Sequence, residues 1–214
     1  MKVLILTSCS KKKKYERSNA LVTEILKKNN LPYPTSNVDL EDQYQQCLSH
    51  FVENARRMYL GSFLYVDKLY NELKKKNTVD FKIISARYGL IDAKDQIIPY
   101  DFSFNSLKKN ERYKRANTLN IYNTLILLLE STKYDLTIVI LGKEYLDLVY
   151  HPKENIDFTN YLSSNLILFG PKLLLDTIRY DKTERIYVRA IGDRNKKIID
   201  LKTRLAYMNS YLVV

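Results

Sequence analysis

Five short apolar runs, bounded by Gly, Ser or charged residues, constrain this chain more than any other feature. They lie at residues 3–6, 81–85, 136–141, 166–169 and 186–190. Continuous apolar runs of this kind fit strands that are buried on both faces of a parallel sheet. Helical patterns separate them at residues 17–29, 41–76 with a break at 61–62, 106–130, 143–149, 171–180 and 193–208. This alternation predicts an α/β sandwich with a mainly parallel central sheet flanked by helices.

The domain organisation is expected to be simple. No internal repeat, linker or composition break divides the 214 residues, so we expect a single α/β domain over residues 1–214, with its clearest loops at 30–39 and 151–159. No stretch approaches the roughly 18 apolar residues of a membrane span. The apolar run at residues 3–6 is too short for a signal peptide. We therefore expect a cytoplasmic protein with no membrane partner.

Metal and disulfide chemistry are not expected. The chain has two cysteines, Cys9 and Cys47, without a Cys-x-x-Cys spacing, and its two histidines are His50 and His151. No Walker or Gly-x-Gly-x-x-Gly loop is present either. The sequence thus predicts no metal and no cofactor.

Positive charge is concentrated in three segments. The formal net charge is +11, from 35 Lys and Arg against 24 Asp and Glu. If the segments converge, they could bind the phosphates of DNA or RNA, whereas three solvated helix faces would give the same pattern. The third segment runs from Arg185 to Arg204. The predicted contacts to a nucleic-acid backbone are Lys12, Lys13, Lys108, Lys109, Arg112, Lys114, Arg115, Arg194, Lys196 and Lys197.

Polar residues follow the first predicted strand, where an open parallel sheet binds its ligand. Ser8, Cys9, Ser10 and Lys11 could hold a phosphate or sugar through side chains and turn amides. Alternatively, a serine caps the next helix and Cys9 is a small buried residue.

A second polar group surrounds the loop after the second strand, which ends at Ser85. Arg87 is a candidate partner for a phosphate or carboxylate, and Tyr88 and Tyr100 offer flat faces on which a base could stack. Asp92, Asp95 and Asp101 supply carboxylates, although acidic residues in a loop are equally common as turn formers.

Four ordered segments carry a resemblance to known families. LILTSCSK at 4–11, RRMYLGSF at 56–63, SARYGLID at 85–92 and IIPYD at 97–101 resemble an uncharacterised prokaryotic domain family encoded near tRNA-guanine-transglycosylase-like and DNA-modification genes. The Gly-Leu and Pro-Tyr segments also resemble the peroxide-stress YaaA proteins, in which an Arg follows Pro-Tyr. Here Asp101 replaces that Arg. The resemblance covers about residues 3–105.

Both groups are similar in architecture to the uracil-DNA glycosylase superfamily, which implies a glycosylase-like fold and base excision from nucleic acid, with DNA favoured over RNA. The sequence departs from that superfamily, because it has no recognisable water-activating motif after the first strand. His151-Pro152 only weakly resembles the superfamily's later His-Pro motif. A role in defence against phages with modified genomes follows from the resemblance alone.

Base excision requires an anion near the sugar, water, and a slot for the extruded nucleotide. Asp101 is the first candidate for the catalytic anion or water activator, and Asp92 the second. The predicted substrate-binding residues are Ser8, Cys9, Ser10, Lys11, Ser85, Arg87, Tyr88 and Tyr100.

Two other functions stay open. The same loops could belong to a non-catalytic DNA- or RNA-binding module, or to a hydrolase of free nucleotides or nucleosides. The basic segments favour a polymer over a mononucleotide, and the carboxylates favour an enzyme over a simple binder of anions. The oligomeric state is not predicted.

Overall fold

The computed structural model describes residues 1–211, and its centre is a six-stranded sheet in the order β10-β9-β6-β1-β3-β4. All neighbouring strands pair in parallel except β3 and β4, which are antiparallel. This confirms the predicted mainly parallel sheet. The strands, including those of two small antiparallel pairs, are β1 (Lys2–Ser8), β2 (Glu53–Asn54), β3 (Thr78–Ser85), β4 (Gly89–Asp92), β5 (Gln96–Ile97), β6 (Leu136–Ile140), β7 (Tyr150–His151), β8 (Ile156–Asp157), β9 (Asn165–Gly170) and β10 (Thr183–Tyr187).

Helices flank the sheet and occupy the predicted segments, most of them in shorter pieces, whereas α9 extends beyond the predicted 193–208 at both ends. The α-helices are α1 (Ala20–Lys28), α2 (Glu41–Cys47), α3 (Ala55–Met58), α4 (Phe63–Leu73), α5 (Lys109–Thr118), α6 (Ile121–Ser131), α7 (Lys143–Leu146), α8 (Lys172–Leu175) and α9 (Ile191–Tyr211). Short 3₁₀ turns lie at Ser49–Phe51, Phe104–Ser106, Pro152–Glu154 and Phe158–Tyr161.

Local backbone chemistry sets several helix ends. The side chain of Asn19 caps α1 by accepting a hydrogen bond from the Val22 N–H at 3.1 Å. Gly61 adopts φ +69° just before α4, which confirms the break predicted at residues 61–62. The helix predicted over 106–130 is instead divided, because Asn120 takes a left-handed conformation between α5 and α6.

Burial explains why the central strands read as apolar runs. Val3, Leu4, Ile5 and Leu6 of β1 are completely buried, and every residue of β6 is buried. Strands with both faces covered have no polar face to show in the sequence. The last strand, β10, lies at 183–187, three residues before the predicted 186–190.

The strand order places a topological switch point at the centre of the sheet. From β1 the chain moves to β3 on one side and then returns to β6 on the other side of β1. In open parallel sheets the crevice at the carboxyl ends of two such strands is the usual ligand site. Here that crevice lies between the loops that follow Ser8 and Ile140.

Within residues 1–211, no helix has the length and apolar character needed to cross a membrane.

Candidate functional site

Side chains connect the two loops that border the central crevice. The Cys9 thiol lies 3.2 Å from the Tyr145 hydroxyl, which belongs to α7 just after β6. The Thr7 hydroxyl donates to the Ile140 carbonyl at 3.0 Å. Burial keeps the pKa of Tyr145 well above its ordinary value, so its hydroxyl stays neutral. Cys9 is itself buried, in agreement with the alternative that made it a small interior residue.

A buried network of hydroxyl groups joins the C-terminal end of β3 to the segment before Asp101. The Tyr100 hydroxyl lies 2.8 Å from the Tyr59 hydroxyl and 3.0 Å from the Ser85 hydroxyl. Ser85 also accepts the N–H groups of Arg87 at 3.2 Å and Tyr88 at 3.1 Å. Because Tyr100 and Ser85 are almost completely buried, they position the two loops rather than offer a face for base stacking.

Lys13 occupies an unusual position for a lysine, since its residue is only 2% exposed. Its ammonium group donates to the carbonyls of Ser10 at 3.2 Å and Lys11 at 3.3 Å, and lies 4.1 Å from the centre of the Tyr100 ring. Burial lowers the pKa of Lys13, and the nearby Cys9 thiol and Asp101 carboxylate oppose that effect. Lys13 therefore holds the loop in shape from inside, while its neighbours face solvent.

Ser10 fixes the same loop from its other side. Its hydroxyl donates to the Lys12 carbonyl and accepts the Leu60 N–H at 3.2 Å. The Leu60 N–H also bonds the Lys12 carbonyl at 3.0 Å. Arg194 of α9 donates to Ser62 at 3.1 Å, so the third basic segment reaches the neighbourhood of the first.

A cavity of about 350 Å³ opens beside this loop. Asp101, the first candidate for the catalytic anion, lines this cavity, and its side chain is exposed. The Asp101 N–H donates a hydrogen bond to the Pro34 carbonyl at 2.9 Å. Glu16 and Ser18, which sequence reasoning missed because they follow the lysine run without a motif, also border it. The cavity is lined by Lys11, Lys12, Lys13, Glu16, Arg17, Ser18, Tyr100 and Asp101. In this cavity the cationic side chains can bind phosphates, while the carboxylate of Asp101 is available to a developing positive charge.

Arg87 and Tyr88 have structural partners away from this cavity. The completely buried Arg87 guanidinium pairs with Glu41 and donates to the carbonyls of Thr35 and Asn37. The Tyr88 hydroxyl donates to the other Glu41 oxygen at 2.7 Å. Burial first, and this hydrogen bond second, raise the pKa of Tyr88. The predicted phosphate partner and stacking face thus fix the 35–41 segment to the end of β3.

Asp92 also lies away from the cavity. It pairs with Lys82 at 3.1 Å, and the strand register places Lys82 opposite Asp92 and Ser85 opposite Gly89. Because β4 is antiparallel, Asp92 is three residues, or about 10 Å, back from the sheet edge that bears the crevice. The geometry separates the second candidate carboxylate from Asp101.

The second and third basic segments divide between solvent and interior. Lys108, Lys109, Lys114 and Lys196 are exposed. Arg115 instead donates to the carbonyls of Ala86 at 3.1 Å, Arg87 at 2.9 Å and Ser36 at 2.6 Å, while Lys197 pairs with Asp193 at 3.1 Å within α9. Arg112 lines a second cavity with Lys109. Arg115 therefore stabilises the loop after β3 rather than presenting a free charge.

Over residues 1–211, no group of three or more His, Cys, Asp and Glu side chains could hold a metal ion.

The model of a family of unknown function, DUF6884, matches residues 48–164, which is more than half of the chain. Searches of curated proteins and of solved structures give no match. The matched residues include Tyr100, Asp101 and the loop after β6, whereas the lysine-rich loop at residues 11–14 precedes them.

Proposed function

The chain belongs to the DUF6884 family, whose function is unknown, and we propose that it is a nucleic-acid N-glycosyl hydrolase that removes a base, with DNA as the favoured substrate. The single observation that carries this proposal is the position of Asp101, in a cavity lined by four cationic side chains beside the carboxyl end of β1. An uracil-DNA-glycosylase-like fold is part of the same proposal, and the mainly parallel sheet supports it.

Cations in the cavity would bind the phosphates on either side of the target nucleotide. Lys11, Lys12 and Arg17 are exposed and border the cavity, so their charges can reach a backbone without leaving the loop. Lys13 and Ser10 hold that loop through main-chain carbonyls. A preorganised loop keeps the cations in place before the substrate arrives, which reduces the entropy lost on binding.

Asp101 would act on the sugar. Excision breaks the bond between C1′ and the base nitrogen, the base leaves with the electron pair, and positive charge develops on C1′ and the ring oxygen. The carboxylate stabilises this charge and orients a water molecule. The water oxygen then bonds to C1′ while its proton passes to Asp101 and on to solvent, and the departing base takes up a proton from solvent.

The resemblance to a family encoded near DNA-modification genes extends the proposal to a modified base and to defence against phages with modified genomes. A carboxylate beside phosphates is unfavourable for simple anion binding, because it repels the ligand. Its place in this cavity supports catalysis over a purely binding function.

The experiment is to incubate the purified protein with unmodified and hypermodified phage DNA, and to measure abasic sites and released bases by mass spectrometry. We expect free base and abasic sites in equal amounts from at least one DNA. Binding to these DNAs without release would identify a non-catalytic module. Release from free nucleosides or nucleotides alone would identify a small-molecule hydrolase.

A further inference from the structure

A second cavity, of about 410 Å³, lies on the same edge of the sheet as the first. It is bordered by the loops that follow β6 and β9 and by the first turns of α5. Its lining residues are Lys109, Arg112, Lys143, Glu144, Asp147, Tyr150, His151, Pro152, Lys153 and Leu174.

Four cationic side chains face this cavity, and two acidic ones accompany them. In the part of the chain that the structure describes, none of the four cations comes within 4.0 Å of a carboxylate oxygen. Burial raises the pKa of Asp147, although Lys143, His151, Arg112 and Lys109 act against that rise. The four cations thus line one cavity without a direct ion pair to a described carboxylate, although Lys143, Arg112 and Lys109 interact with Asp147 at longer range.

His151 provides a second, independent observation. Its Nδ1 atom is buried and has no hydrogen-bond partner among the described residues. The Tyr113 ring packs edge-on against the imidazole, with centroids 5.5 Å apart, and the buried Tyr113 hydroxyl lacks a partner in the same part of the chain. Buried polar groups are nearly always hydrogen-bonded, and His151 lines the cavity, so its unsatisfied imidazole supports a ligand there.

We propose that this second cavity binds a phosphate group, held by Lys143, Lys153, Lys109 and Arg112, with His151 as an additional donor. Phosphate oxygens are strong acceptors, and each can take hydrogen bonds from several cationic groups at once. The guanidinium of Arg112 can hold two of them. The sequence does not predict Lys143 or Lys153 as backbone contacts, because neither belongs to a cluster of basic residues and each is followed by a glutamate.

The phosphate could belong to a nucleic-acid chain or to a free phosphomonoester. Both sources present the same oxygens to the cavity, so the chemistry of recognition is shared. Binding here does not depend on base excision at Asp101, since Asp101 does not border this cavity.

The test uses the full chain and two kinds of probe. Isothermal titration with inorganic phosphate and with AMP measures the free-phosphate arm. Fluorescence anisotropy of single-stranded oligonucleotides, with and without a 5′-phosphate, measures the polymer arm. The variants are Lys143→Ala, Lys153→Ala and Asp147→Asn, and the matched control is Lys133→Ala, an exposed lysine just before β6 at the opposite edge of the sheet.

We expect Lys143→Ala and Lys153→Ala each to weaken phosphate binding about tenfold, the scale of one charged hydrogen bond, while Lys133→Ala binds as wild type does. Asp147→Asn should tighten binding, because a negative charge near the ligand is removed. Parallel losses for oligonucleotides identify a nucleic-acid phosphate, and losses confined to inorganic phosphate and AMP identify a free phosphomonoester.

Absence of phosphate binding by the wild type in both arms would overturn the proposal. Equal binding by Lys133→Ala, Lys143→Ala and Lys153→Ala would overturn it as well. Base release is measured on the same samples, so a failure here is distinguishable from a failure of the proposed excision.

Discussion

The buried guanidinium of Arg87 forms an ion pair with the carboxylate of Glu41, which also accepts the hydroxyl of Tyr88 at 2.7 Å. Arg87 bonds two carbonyls of the 35–37 segment in addition, so a single side chain joins this loop, α2 and the end of β3. Next to this segment, the Pro34 carbonyl accepts a hydrogen bond from the Asp101 N–H. The position of Asp101 therefore depends on a structural cluster that does not line its cavity.

Glu41→Gln should destabilise the protein strongly, because it leaves a completely buried guanidinium without its counter-charge. We expect the free energy of unfolding to fall by about 3 kcal/mol, as for other broken buried pairs. Urea denaturation measures it. The control is Glu24→Gln, whose pair with Lys28 is exposed and screened by solvent, so its loss should leave the free energy of unfolding close to that of wild type. Similar small losses in both variants would show that Arg87 does not need Glu41.

Arg115→Ala and Lys114→Ala should behave differently although the residues are adjacent. Arg115 donates to three main-chain carbonyls, and its loss should lower the free energy of unfolding by about 2 kcal/mol. Lys114 is exposed, so its loss should leave stability within about 0.5 kcal/mol of wild type. Thermal and urea unfolding compare the pair. Equal stability of the two variants would contradict the structural role of Arg115.

Tyr33→Phe should change how stability responds to alkaline pH. Burial raises the pKa of Tyr33 to about 12 from the ordinary 10.0, so between these values the unfolded chain loses the phenolic proton while the folded chain keeps it. Tyr33 thus contributes stability that is fully present below pH 10.0 and is lost as pH rises through about 12. The stability of wild type should fall more steeply than that of Tyr33→Phe over this interval. Urea unfolding at a series of pH values tests this, and parallel curves would contradict it.

Lys11→Gln should reduce the salt dependence of nucleic-acid binding. If Lys11 neutralises one phosphate, the slope of log affinity against log salt should decrease in magnitude by about 0.9 on duplex DNA. The loss of affinity should be similar for unrelated sequences, because phosphate contacts carry no base information. Lys133→Gln, at the opposite edge of the sheet, should keep the wild-type slope. Salt-insensitive binding by the wild type would contradict a phosphate-based interface.

The sheet could be predicted from the sequence because its parallel strands are buried on both faces and leave continuous apolar runs. The antiparallel strand β4 could not be predicted, because it has only four residues and its pairing depends on β3. The division between α5 and α6 rests on one left-handed residue, Asn120, inside an otherwise helical pattern.

The candidate site was predictable in part, for a related physical reason. Position after a strand identifies the loop with Lys11, and the family-like Pro-Tyr-Asp segment led to Tyr100 and Asp101; all three line one cavity. Whether an arginine faces solvent or interior depends on distant partners. Arg87 meets Glu41 from 46 positions earlier in the chain, a contact that no local pattern records.

The most direct test of the proposed excision is single-turnover base release by wild type and Asp101→Asn on the same DNA, with melting temperature and DNA affinity measured on both proteins. Asp92→Asn is the matched control, since Asp92 lies away from the Asp101 cavity. We expect Asp101→Asn to fold and to bind DNA as tightly as wild type or more tightly, yet to release base about a hundredfold more slowly, while Asp92→Asn keeps wild-type turnover. Full base release by a folded Asp101→Asn would contradict the proposed role of this carboxylate and remove it from the mechanism.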